Sequence, residues 1–283
     1  MTVLLSWNIQ YGKGVDGAVD LKRIADTAGA MGPFDVFCAQ EVAVNIAGMG
    51  GGANVDQTAE LADLLPGYAA FFAPAVDLLG ADGRRQRFGN MIFSRLPVLA
   101  FTSRILPRPA DPTVIHMPRG VAEALVETKS GPLRVMTTHL EFHGTVQRLA
   151  QAQALRALYA EAAANDRKLP QPGPGPYRVL PQAIGTAICG DFNFESSENS
   201  YAAITEKFTG GAEALADAWT QRYPGKPHDP TCGIHDHEQW KQGAHARDFF
   251  FVSQGLSRRI ASVEVDTKTA ASDHQPVRLV LGD

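Results

Sequence analysis

The sequence predicts an α/β fold in which two packed sheets of mixed strand direction are flanked by helices. Apolar runs of strand length recur along the chain, and several follow one another with no helix between them, which a purely parallel doubly wound sheet does not allow. Helical periodicity interrupts these runs in only a few places. At 283 residues, 45% of them hydrophobic, the chain can furnish a sizeable core.

The first strand is VLLSW, followed by a Gly-containing loop and a helix from about Asp20 to Ala30 that places Leu21, Ile24, Ala25 and Ala28 on one face. FDVFCAQEV reads as a second buried strand ending in polar residues. AGMGGGAN is expected to be a flexible loop, and a short helix over 56–65 stops at Pro-Gly-Tyr. YAAFFAPA, GNMIFS, VAEALVET and LRVMTTHL then read as strands. The segment TVQRLAQAQALRALYAEAAAND is rich in Ala, Leu, Gln and Arg and is a strong helix former. LPQPGPGPYRVLP has five prolines in thirteen residues and suits a long extended loop. The strand AIGTAIC beyond it ends in the same chemistry as earlier strands, so we read residues 1–283 as one domain carrying a long loop rather than two. RDFFFVS, RIASVEVD and QPVRLVL close the sheets.

A formal charge of −4 gives no overall attraction to a long polyanion, although a local basic patch is compatible with it. The N-terminal residues lack the basic lead and cleavage site of a secretory signal, and no run is apolar for long enough to span a bilayer. Cys38, Cys189 and Cys232 form an odd set that fits a reduced, cytoplasmic setting. A monomer is expected.

The informative pattern lies at the strand ends. Asn8 follows LLSW, Glu41 follows VFCAQ, His139 follows RVMTT, and Asp191 and Asn193 surround the end of AICG. Asp248 opens FFFVS, and Asp273 with His274 precedes QPVRLVL. Each residue alone has a plain reading as a strand terminator, a turn cap or a core histidine. Six separate runs ending in groups able to bind a metal or move a proton point instead to one sheet edge, where α/β proteins place their sites.

In order and rough spacing, WNIQ, QEV, GNMIFSR, THLE, GDFN, RDFFFVS and SDHQPV resemble the endonuclease/exonuclease/phosphatase superfamily, from Asn8 to His274. The resemblance implies a four-layer sandwich of two mixed sheets with outer helices, and a divalent-metal-dependent phosphate-ester hydrolase of phosphodiesterase or nuclease type. It implies Mg2+ or Mn2+ held by Glu41, with Asn8 nearby and Asp273 completing an oxygen-rich shell. Asp191 and Asn193 would orient the attacking water and bond the phosphate. His274 would be the base or a phosphate contact with Asp248 fixing its tautomer, and His139 would stabilise the phosphate or protonate the leaving group. Whether Asp191 or His274 is the base stays open. Arg87, in RRQRFGN, is a candidate phosphate contact, although a solvated hairpin tip is the preferred reading of that stretch; Arg119 is a second candidate, and Glu141 is either a supporting partner or a surface residue. The substrate would be a nucleic acid, a small phosphorylated molecule or a lipid headgroup; a phosphomonoesterase or phospholipid phosphodiesterase, or a non-catalytic phosphate-binding module, is the alternative. His228, Cys232, His235 and His237 invite a zinc reading, but Cys-x2-His-x-His is not a closed structural site and no further ligand beside it is evident, so a surface loop near the substrate is the preferred reading, with Trp240 in it and the glycines after Glu41 shaping the pocket.

Overall fold

The computed structural model describes residues 1–50, 55–209 and 212–283. These run β1 (Thr2–Asn8), α1 (Leu21–Ala30), β2 (Val36–Val44), α2 (Gln57–Leu64), β3 (Ala69–Leu79), β4 (Arg85–Ser94), β5 (Val98–Ile105), β6 (Gly120–Thr128) and β7 (Gly131–His139). They continue through α3 (Thr145–Arg167), β8 (Thr186–Asp191), α4 (Asn199–Thr205), β9 (Leu215–Asp217), α5 (Ala218–Arg222), β10 (Asp248–Ser253), α6 (Gln254–Ser257), β11 (Ile260–Val265) and β12 (Val277–Leu281).

The strands form two six-stranded sheets, ordered β11-β12-β1-β2-β4-β3 and β5-β6-β7-β8-β10-β9. Each has one parallel pair at its centre, β1 with β2 and β7 with β8, and antiparallel neighbours outside it. This arrangement explains why the strand-end residues converge. Parallel strands finish on the same edge, which takes Asn8 beside Gln40 and His139 beside Asp191. Antiparallel neighbours begin where those strands end, so Asp248 opposes Asp191 and the segment leading into β12 returns to the edge of β1.

Small and branched apolar side chains such as Leu4, Cys38, Ala124, Val135, Cys189 and Leu279 fill the space between the sheets. A second apolar layer joins the first sheet to α1 and α2, and a third joins the second sheet to α3 and α4. The result is the expected four-layer α/β sandwich. Asp20 caps α1 by accepting from Arg23 N, and Leu21, Ile24 and Ala28 are buried as their spacing requires. The Pro-rich stretch lies between α3 and β8, and β7 and β8 on either side of it are adjacent strands.

β5 was not marked by apolar alternation, because it is an edge strand whose second half is exposed. β3 and β4 run further than their apolar cores, forming a hairpin that continues to Leu79 and Arg85. The expected flexible loop AGMGGGAN lies partly outside the described residues.

Candidate active site

Asp191 Oδ2 is the hub of the shared edge. Around it stand Asn8 Nδ2 at 2.9 Å, His139 Nε2 at 3.4 Å, Asn193 Nδ2 at 3.4 Å and His274 Nε2 at 3.6 Å. Its other oxygen accepts from Asn193 N at 2.9 Å. His274 Nδ1 lies 2.8 Å from Asp248 Oδ2, which also accepts from Thr231 Oγ1 at 2.6 Å. Asn8 Nδ2 donates to Glu41 Oε1 as well, at 3.0 Å, so one amide joins the two carboxylates.

Two of these residues are placed by unusual backbone. Pairing of β2 with β4 slips between Ala39 and Val42, and Glu41 inside that bulge has φ 63°. Asn193 has φ 54°. Left-handed conformations at non-glycine residues cost roughly 1–3 kcal/mol each and gather at functional sites. Gly190 has φ 139°, and a Cβ on it would lie 1.9 Å from Thr138 O, so only glycine lets β8 approach β7 closely enough to deliver Asp191.

Burial pushes the Glu41 carboxyl up to about 7, with Asp273's charge adding to the effect. Asp273 is raised by burial, and Asp248 is pushed by burial to about 6. Burial alone would depress His274, but the charges of Asp248, Asp191 and Asp273 together carry it well above the ordinary histidine range. Burial, then the Arg119 charge, hold His139 well below that range, so it is neutral near pH 7. Asp191 is held below the usual carboxylate range because His274 and His139 outweigh its burial. The edge thus carries a charged His274, a neutral His139 and an ionised Asp191 within a few ångströms.

The structure gathers Asn8, Glu41, His139, Asp191, Asn193, Asp248, Asp273, His274 and Arg119 here. Asn8, however, turns its Oδ1 to Gln10 N at 3.0 Å and its amide nitrogen to the carboxylates, so it ties Glu41 to Asp191 rather than offering an oxygen beside Glu41. Arg87 is not brought in: its Nε is 3.6 Å from Asp77 on the β3–β4 hairpin, while its neighbour Phe88 faces the cavity. Glu141 is buried and lies 3.3 Å from Arg119 Nε. The four candidate zinc ligands do not converge. His228 Nε2 is 2.7 Å from Asp217, Cys232 Sγ is 3.3 Å from His245 Nε2, and His235 Nε2 is 3.1 Å from Thr267 O.

Several further residues complete the site, most of them without a sequence signal. Gln239 Nε2 donates to Asp273 Oδ2 at 2.8 Å and Trp240 Nε1 does so at 3.3 Å. Tyr11 stands close enough to Glu41 and Asp273 that their charges, after burial, raise its hydroxyl. Met49, Phe88, Met117, Phe142 and Trp240 wall a cavity of about 280 Å³ over the polar edge. Of these only Trp240 was marked as a pocket former.

Ligand atoms of Asp191, Asp248 and His274 also lie within 4.8 Å of one another. His274 Nδ1 is already committed to Asp248, so this trio reads as a proton-handling group. Glu41 and Asp273 are the better cation site: Asp273 is buried and Glu41 half-buried, both are raised, and among the described residues neither is bonded to Lys or Arg.

Carboxylates, amides and histidines thus converge on one edge of two packed mixed sheets in a four-layer α/β sandwich. The sequence profile of the Endonuclease/Exonuclease/phosphatase family matches residues 5–274, and the chain belongs to that family. Among solved structures, a family protein from Beutenbergia cavernae is similar at 23% identity over 99% of this chain and 72% of its own, with a TM-score of 0.69. A mannosyl-6-phosphatase from Bacteroides thetaiotaomicron is similar at 19% identity over 100% of both chains, with a TM-score of 0.67. Humanized D. rerio TDP2 is similar at 18% identity over 100% of this chain and 99% of its own, with a TM-score of 0.62. Comparison with curated proteins gave no match. Among the described residues, no helix is long and apolar enough to cross a membrane.

Proposed function

We propose that this protein is a divalent-metal-dependent phosphate-ester hydrolase acting by in-line attack of water on phosphorus. The observation that carries the reading is the crowding of four nitrogens around Asp191 Oδ2, one belonging to a histidine that a second buried carboxylate keeps charged. Family membership supports phosphate-ester chemistry. The residues fit a hard cation: Glu41 and Asp273 present oxygens, and their mutual repulsion in a buried setting is relieved by positive charge. Mg2+ or Mn2+ bound there would draw charge off a phosphoryl oxygen and the leaving oxygen.

The remaining roles follow from position. Asp191 is ionised and held by Asn193 N, which suits it to orient and deprotonate water. Asn193 leaves its buried Oδ1 without a partner among the described residues, ready to accept from that water. His274, charged and anchored by Asp248, stabilises negative charge on the phosphoryl group. Neutral His139 and Arg119 complete the phosphate cradle.

Hydrolysis of p-nitrophenyl phosphate and bis-p-nitrophenyl phosphate with Mg2+ or Mn2+, with and without EDTA, tests the reading. Activity is expected to require the metal and to fall by about 10³-fold or more in Asp191→Asn and His274→Ala, the scale of losing a charged group at the reacting centre. A wild-type protein inert in every metal would leave a phosphate-binding module instead.

A further inference from the structure

Resting on that hydrolase reading, we infer that the site takes small phosphate monoesters, and that Phe88, Met117 and Arg119 reject the second ester arm of a diester. Three independent features lead there. First, beside His139 and Arg119 lies a small recess of about 10 Å³, bordered by Gly89, Asn90, Pro118 and Gly120, that shares Glu41, Phe88 and Met117 with the cavity. That wall is backbone packed on backbone. A Cβ on Gly89 would lie 2.2 Å from Ala73 O, and Asn90 Nδ2 donates to Gly120 O at 3.0 Å, tying β4 to β6. A substituent on phosphorus pointing this way meets room for little more than one water-sized group.

Second, the guanidinium beside this recess keeps bonding capacity in reserve. Arg119 is 5% exposed, its Nε is engaged by Glu141, and its buried Nη1 has no partner among the described residues. Glu141 is itself held, accepting from Met117 N and His143 N, so the guanidinium cannot swing away cheaply. A terminal phosphoryl group presents three non-bridging oxygens and can fill that donor. A diester presents two, and an alkoxy carbon placed here would leave a buried charged donor unpaired. Sites built to hydrogen-bond one group reject analogues lacking it by large factors.

Third, the lining of the main cavity holds no row of basic groups to track a polynucleotide backbone: among the described residues Arg119 is the single Arg there, and no Lys lines it. Arg85 and Arg87 are engaged by Asp77, and Arg247 bonds Asn193 O and His245 Nε2. Binding an internal phosphodiester in a nucleic acid draws on several such contacts along a groove. A cavity of about 280 Å³ walled by Phe142 and Trp240 suits one compact leaving group.

The test compares p-nitrophenyl phosphate with methyl p-nitrophenyl phosphate, which share a leaving group and differ by one methyl ester, and adds a single-stranded oligonucleotide. In Mg2+ or Mn2+, kcat/KM for the monoester is expected to exceed that for the diester by about 100-fold or more. Met117→Ala at the partly exposed rim, and Phe88→Ala with folding checked by circular dichroism, should each narrow the ratio by admitting the diester. Arg119→Met should cut monoester turnover more than diester turnover. Equal rates or a preference for the diester or the oligonucleotide would overturn the inference while leaving a hydrolase; so would a ratio unmoved in all three variants. Turnover of none of the three substrates would overturn the hydrolase reading beneath it.

Discussion

Glu41 has its backbone in the left-handed region, its carboxyl largely withdrawn from water and Asp273's charge beside it, and each of these costs free energy when no cation is bound. The pH dependence follows. With its folded-state value near 7 against an ordinary 4.5, the folded protein keeps the proton on Glu41 after the unfolded chain has released it. Stability therefore falls as pH rises from about 4.5 to about 7, by roughly 3 kcal/mol at ~1.4 kcal/mol per pH unit. Urea denaturation in metal-free buffer should show Glu41→Gln losing less stability than wild type between pH 5 and pH 8. Adding Mg2+ at pH 8 should stabilise wild type and leave the variant unmoved; parallel pH curves would remove the buried-carboxylate account. Glu41, His139, Asp191, Asn193, Asp248, Asp273 and His274 were legible because a polar group at the end of an apolar run stands out. The cavity walls were not, since Phe88 and Met117 look like any other apolar residues until the fold turns them to one side. Arg87 shows the reverse failure. A basic cluster next to a family-like strand suggests phosphate contact, yet strand alternation sends Phe88 inward and Arg87 to Asp77.

Each element delivers its residues by a device that periodicity alone does not reveal. β1 and β7 do so simply, ending at Asn8 and His139. β2 needs a bulge to aim Glu41, and β8 needs Gly190 to lie against β7 before Asp191 emerges. Gly190→Ala should destabilise the protein by about 3 kcal/mol, combining a strained φ with forced separation of two backbones, as read by the urea midpoint. Its activity should fall further than stability explains, because Asp191 shifts with the strand. A fully active, fully stable alanine variant would mean that β7 and β8 tolerate more space than their contact implies. The helices α1 and α3 were readable from spacing and composition, and the long strands from apolar runs. β5 and the three-residue β9 were not, one because an edge strand shows half its residues to water and the other because it is too short to carry a pattern.

Across the whole molecule, the two sheets divide the work. The first supplies Glu41, Asp273 and His274 from β2 and the approach to β12, while the second supplies His139, Asp191 and Asp248 from β7, β8 and β10. The Asn8–Asp191, His274–Asp248, His274–Asp191 and Asn90–Gly120 contacts join these halves at the site. Leu279, fully buried between the sheets, should cost about 2–5 kcal/mol on truncation to Ala. The variant should also lose kcat before it unfolds, measured by activity across a urea titration; activity that tracks the folded fraction would show that the sheets need no fixed spacing. The pairing of β1 with β12, Thr2 opposite Leu281, has a further result. Within the chain β1 precedes β12, one of its two neighbours, by every other strand of both sheets, so during synthesis it waits for that partner. Until then an edge bearing open amides and carbonyls is available to other chains. Refolding should accordingly be slow and concentration-sensitive, with aggregation competing against the return of the final strand.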